Sequence, residues 1–143
     1  MKFSTTNFLL FLAVAAMSFV ACKKDATPED MLTGQSCWAQ VKSETYNDAT
    51  SQWEVDLIDD CTKDDCTEFK SDKTLTFDEG ATKCDPSSPQ SSTGTWSLSA
   101  DGQTLTVTQD GFTLPFALIE LSSSKLVLES DFLGKTRITF QSK

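Results

Sequence analysis

Five cysteines and a run of carboxylates are the residues of this chain that could do chemistry. The cysteines are Cys22, Cys37, Cys61, Cys66 and Cys84; the carboxylates gather as Glu54, Asp56, Asp59, Asp60, Asp64, Asp65 and Glu68. Thiols could exchange electrons, bind zinc or form disulfides, and clustered acids could hold a hard cation or act as an acid–base pair. No histidine occurs among the 143 residues. That removes the Ser-His-Asp and Cys-His nucleophile systems and every His-ligated metal centre. Cys61 and Cys66 are spaced CxxxxC rather than CxxC, with no helix start beside them to lower a thiol pKa. The acids form no DxDxDG calcium loop and read as solvated loops between strands. In a chain with 21 acidic residues, two neighbouring carboxylates carry no weight as a glycosidase pair. A formal charge of -9 is also the wrong sign for a nucleic-acid partner. The expectation is a protein that is not an enzyme and uses no cofactor or metal.

Cys22 has a different setting. Lys2 precedes an apolar run from Phe8 to Met17, and Ser18-Phe19-Val20-Ala21 follows. This is the layout of a secretory signal peptide. The run is far short of the roughly 20 apolar residues that span a bilayer. With Cys22 the ending resembles a bacterial lipobox, in which cleavage precedes a cysteine that carries lipid. The resemblance implies removal of 1–21 and a membrane anchor through acyl chains on Cys22. Residues 22–31, polar and interrupted by Pro28, then read as a tether. Lys23 after the lipidated position, and a Cys-Lys-Lys-Asp start that resembles many Bacteroidota lipoproteins, imply the outer membrane, at its periplasmic face or the cell surface. An exported chain keeps disulfides, and the four remaining cysteines can pair in three ways. Zinc is the alternative use of the same sulfurs.

The elements that must position these residues are strands. From Leu32 onward apolar residues recur with period two, as in Trp53-Glu54-Val55-Asp56-Leu57, Leu75 and Phe77, Leu105 and Val107, and Phe112, Leu114, Phe116 and Leu118. Threonine fills many of the opposite positions, where its branched carbon suits a pleated surface. Asp101-Gly102 and Asp110-Gly111 fall between such runs and are strong hairpin signals. The expected strands are 36–45, 51–58, 66–70, 73–79, 93–99, 103–109, 112–121, 124–130 and 135–142. Pro115 lies within one of them and predicts a bulge, a bend or an edge there. Eight or nine short strands joined by hairpins predict an all-β, up-and-down antiparallel barrel over 32–143. A two-sheet sandwich is the competing architecture, disfavoured because it needs a long crossover.

Leu32-Thr33-Gly34 with Trp38, Asp59-Asp60-Cys61 with Lys63-Asp64-Asp65, Phe69, Leu75-Thr76-Phe77, Lys83-Cys84-Asp85-Pro86, Gly94-Thr95-Trp96 and Arg137-Ile138-Thr139-Phe140 resemble the bacterial lipocalin-like domain family. The resemblance covers about 32–143. Gly34 and Trp38 are separated by Gln35, Ser36 and Cys37, a departure from the family's Gly-x-Trp opening. The resemblance implies a small lipid-anchored barrel, a Cys61–Cys84 disulfide and, for the two cysteines left over, Cys37–Cys66. It also implies an interior able to hold a small apolar ligand, with Trp38 and Trp96 at the mouth or floor; Phe77 and Phe116, on the apolar faces of their strands, are further candidate contacts. The alternative is an interaction module with a packed core, docking another envelope protein through its acidic loops.

Overall fold

A computed structural model of the protein describes residues 25–143. The first ordered turn makes itself. The Thr27 hydroxyl accepts from the Asp30 N–H at 3.1 Å, and Asp30 Oδ2 accepts from the Thr27 N–H at 2.9 Å. This reciprocal capping box satisfies orphan donors of a helix start, and Pro28 occupies the first helical position, where no N–H is needed. The outcome is helix α1, Pro28–Thr33. Residues 28–31, expected as tether, are therefore helical. Six residues are too few to show a 3.6-residue stripe; the legible signal was Thr27-x-x-Asp30 around Pro28.

Nine strands follow: β1 (Trp38–Asn47), β2 (Gln52–Val55), β3 (Cys66–Phe69), β4 (Thr74–Asp78), β5 (Ser91–Leu98), β6 (Thr104–Gln109), β7 (Phe112–Leu121), β8 (Lys125–Ser130) and β9 (Thr136–Ser142). Each expected segment overlaps one of them; β1 runs two residues past its expected end at 45 and β5 begins two residues before its expected start at 93. From β3 to β9 every strand pairs antiparallel with the next, and β9 returns to β1 from Trp38↔Ser142 to Thr45↔Thr136. Closure on the other side of β1 is narrow. It meets β3 at Trp38↔Thr67, and its far end pairs with β2 from Glu44↔Val55 to Asn47↔Gln52. The result is a closed eight-stranded barrel, with β2 as an extra strand folded back on β1, and not a sandwich.

Alternate side chains fill one end. Leu32, Trp38, Leu105 and Leu126 are wholly buried, and Phe69, Leu75, Trp96 and Leu128 join them in one cluster. Helix α1 closes this end by inserting Leu32, and the Trp38 Nε1–H donates to the Leu32 carbonyl at 3.0 Å. At the opposite end the strands are joined by the Asp110-Gly111 turn, where both residues have positive φ (51° and 81°), and by the longer connections 79–90 and 131–135. Gly94 is required for close strand approach, since a Cβ there would meet the Thr108 carbonyl.

Pro115 proves to be an edge residue. Leu118 N–H donates toward β6, to Gln103 O at 2.7 Å, so Pro115 N turns toward β8. There the β7–β8 ladder begins only at Ala117↔Glu129. Phe112–Phe116 of β7 thus overhang the end of β8, and proline removes one donor from that open edge. The bulge in this strand falls later, between Leu118 and Glu120.

Candidate functional site

The unfilled half of the barrel lies toward the open end. Below it, the Trp38 and Trp96 rings form the floor, each with its N–H committed to a backbone carbonyl: Trp38 to Leu32, and Trp96 to Lys70 at 3.0 Å. Phe69 packs edge-on against Trp96 at 5.6 Å between centroids, and Lys73 Nζ lies 4.2 Å from the Trp96 ring centre. Both tryptophans belong to the core cluster. Above this floor a cavity of about 150 Å³ is walled by Phe77, Val107, Gln109, Phe116, Ile138 and Phe140, among others. Phe77 and Phe116 thus face the interior space. The structure brings these two together at the cavity and leaves Trp96 packed beneath it; Trp38, also in the floor, borders a second, neighbouring cavity.

At the mouth a wider cleft of about 630 Å³ shares Val107, Gln109 and Phe116 with the inner cavity. Its rim is Phe112 on β7 and Phe132-Leu133 on the connection 131–135, exposed by 73%, 63% and 91%. A separate cleft of about 410 Å³ runs outside the overhang of β7, between Pro115, Ala117, Glu129 and Lys135. The rim escaped the sequence reading because Leu133-Gly134 reads as a turn and a turn gives no sign of what its side chains face.

The remaining chemistry-bearing residues have structural settings. Cys37 is bonded to Cys66 and Cys61 to Cys84, with Cα atoms 5.2 and 5.1 Å apart. The first bond joins the start of β1 to the start of β3; the second fastens the 3-10 turn Asp60–Thr62 to the connection 79–90. Asp64 Oδ2 accepts from the N–H groups of Ala81 and Thr82 at 2.7 and 3.0 Å. Asp78 Oδ1 accepts from Gly80 N–H at 2.8 Å and from Gln90 Nε2 at 3.2 Å. These acids shape a loop. Among the described residues no group of three or more Cys, Asp or Glu is placed to hold a metal ion. Cys22 and the segment 1–21 lie outside the described residues.

Asp65 differs from its neighbours. It is the buried one, at 8% exposure, and its Oδ1, like that of Asp64, is buried with no hydrogen-bond partner. Burial pushes its carboxyl above the usual carboxylate range, and the negative charges of Glu79, Asp64 and Asp78 push in the same direction; Lys143 opposes them. The folded chain therefore holds this proton more tightly than the unfolded chain does. Ionising Asp65 as pH rises through that interval lowers stability, and the loss is complete above the raised pKa. Asp65→Asn does not titrate and carries no charge into the buried site, so it is expected to be more stable than the original protein at neutral pH. Near pH ~3, where carboxyls are protonated in both states, the gain disappears. Denaturant titrations of both proteins at the two pH values measure it.

The sequence also gave no warning of an aromatic and cationic stack outside the barrel. Trp53 of β2 lies 5.3 Å from Tyr46, with the Arg137 guanidinium 4.1 Å from its ring centre. Arg137 in turn pairs with Glu129 at 2.8 Å. The stack holds β2 against β1 and β9, and every member has a partner.

Comparison with known proteins agrees with this architecture. No curated protein matches the sequence. The structure is similar to the crystal structure of a duf4847 family protein from Bacteroides vulgatus, with a TM-score of 0.55 and 14% identity, covering 80% of this chain and 96% of that one. At that identity the likeness is one of fold. The lipocalin-like domain matches residues 32–128. That span stops within β8, so the β9 strand that closes the barrel lies beyond it. From α1 through most of the barrel, the chain belongs to the lipocalin-like domain family.

Proposed function

We propose that the protein is a lipid-anchored carrier or receptor of the outer membrane that holds a small apolar molecule in its barrel. The supporting observation is the apolar path from the exposed Phe112–Phe132–Leu133 rim to the inner cavity, through the shared walls Val107 and Phe116. Small-molecule sites are concave, mainly apolar and furnished with a few polar groups. The inner cavity alone matches the ~150 Å³ that admits a benzene ring, so the ligand either is compact or keeps its remainder in the mouth. Acyl chains on Cys22 tie the barrel to the membrane, because stable attachment takes more than one chain. Native mass spectrometry of protein purified from its own host tests the ligand: a co-purifying small molecule released by organic extraction is expected. Protein that is always ligand-free, and that binds no apolar probe, overturns the reading. Loss of labelled palmitate and of outer-membrane fractionation in Cys22→Ser tests the anchor.

A second reading, an envelope-protein docking module, draws support from Asp59, Asp60 and Asp85, which stand exposed on the loops joined by the Cys61–Cys84 bond. Crosslinking in intact cells separates the two. One dominant protein adduct through these loops favours docking, whereas a carrier needs none.

A further inference from the structure

Beside the inner cavity, at the seam where β1 and β3 share one residue pair, lies a second cavity of about 160 Å³. Its walls include Asp65, Gln40, Thr62 and Thr67, together with Phe77 and Phe140. Thr67, Phe77 and Phe140 also wall the inner apolar cavity. An apolar chamber and a chamber holding a carboxylate therefore lie side by side, sharing one aromatic partition. Together they reach the lower end of ordinary ligand pockets, about 300 Å³.

We infer that the barrel selects a compact lipophilic amine, with its apolar group in the inner cavity and its ammonium paired with the buried Asp65 carboxylate. This deepens the carrier reading proposed above and rests on it. The chemical reason is that the fold leaves Asp65 only 8% exposed, with Oδ1 buried and unbonded. A buried charge of this kind gains most from an incoming opposite charge, because its own desolvation has been incurred in folding. The charged groups acting on it are Asp64 beside it, Asp78 and Glu79 at the end of β4, and Lys143 at the C-terminus. Three of the four are negative. Lys143 is the one cation among them, and its Nζ donates to the Lys63 carbonyl at 3.2 Å. Asp64 Oδ2 accepts from the N–H groups of Ala81 and Thr82 and Asp78 Oδ1 from Gly80, while Asp64 Oδ1, like Asp65 Oδ1, is buried without a partner and adds to the negative field. The local field thus favours a cation, and no basic residue lines either chamber.

Ring size and reach point to an arylalkylamine. A phenyl group fits a cavity of ~150 Å³, and a short methylene chain would carry the ammonium past Phe77 and Phe140. Calorimetric titration of the purified full chain with 2-phenylethylamine, 2-phenylethanol and 3-phenylpropanoate tests this directly. At pH 7.5 the amine is expected to bind about tenfold tighter than the alcohol or the acid, the worth of one charged hydrogen bond. Asp65→Asn is expected to remove that advantage while leaving the alcohol within about twofold of its original affinity. In the unsubstituted protein the advantage also shrinks as pH falls through the raised titration range of Asp65, because protonated Asp65 offers no charge. This second measurement stands whether or not the variant folds. An amine that binds no better than the alcohol, or keeps its advantage in Asp65→Asn, overturns the amine assignment and leaves the apolar carrier in place. If none of the three compounds binds, the amine assignment falls, and the carrier reading is decided separately by the co-purification experiment above.

Discussion

Trp38→Ala is expected to lower unfolding free energy by about 3–5 kcal/mol, the range for truncating a buried tryptophan. Three elements depend on this side chain. Trp38 is fully buried, pairs with Thr67 of β3 on one side and Ser142 of β9 on the other, and hydrogen-bonds α1 through the Leu32 carbonyl. Alanine removes the ring from the core and leaves that carbonyl, on a wholly buried residue, without its donor. Trp38→Phe separates the two effects, since it keeps most of the apolar area and loses only the N–H. It should cost about 1–3 kcal/mol, the penalty of an unsatisfied buried acceptor plus a small packing change. Denaturant unfolding measures both variants. Amide exchange at Met31 and Gly34, the N–H groups bonded within α1, should quicken in each variant while exchange in β6 and β7 keeps its rank. If Trp38→Ala leaves stability within about 1 kcal/mol of the original, the ring is not the keystone of the closed end.

The barrel interior shows where sequence reading stops. Period two pointed Phe77, Trp96 and Phe116 inward, and the structure agrees, all being core or cavity residues; it misled for Val55 and Leu57, which are exposed because β2 lies outside the barrel. It could not tell depth. Whether an inward residue lands in the packed floor or in the open half depends on strand tilt and stagger. Those are set by the β1 and β7 register shifts and by α1, none of them visible as an alternation. Asp65 was hidden for a similar reason. In the sequence it is one acid among seven, and its burial follows from two tertiary facts: Cys66 is bonded to Cys37, and Asp64 beside it is tied to the connection 79–90. Hairpin turns were legible because Asp-Gly demands a particular backbone. The seam between β1 and β3 was not, because no turn joins those strands. Between them lies the excursion through β2 and the 3-10 turn.

That seam is where loss of a disulfide should be felt most. The two bonds close loops of similar length, with sequence separations of 29 for Cys37–Cys66 and 23 for Cys61–Cys84. Restricting the unfolded chain is worth about 3–4 kcal/mol for either loop, and the difference in length contributes only about 0.2 kcal/mol. On that basis alone the paired serine variants would be indistinguishable. The folded state separates them. Cys37 and Cys66 are the chain neighbours of Trp38 and Thr67, the residue pair that joins β1 directly to β3. Cys61–Cys84 instead joins a 3-10 turn with no buried residue to the connection 79–90. Cys37→Ser with Cys66→Ser is therefore expected to lose about 4–5 kcal/mol, the upper end for removal of a native disulfide. Cys61→Ser with Cys84→Ser should lose about 2–3 kcal/mol, the lower end. Denaturant titration of the two variants under identical conditions gives the ordering, and amide exchange at Thr67 locates it. Equal losses, with Thr67 protected alike in both, would mean that β1 and β3 stay together without the bond, and that the narrow closure of the barrel is held by Trp38 alone.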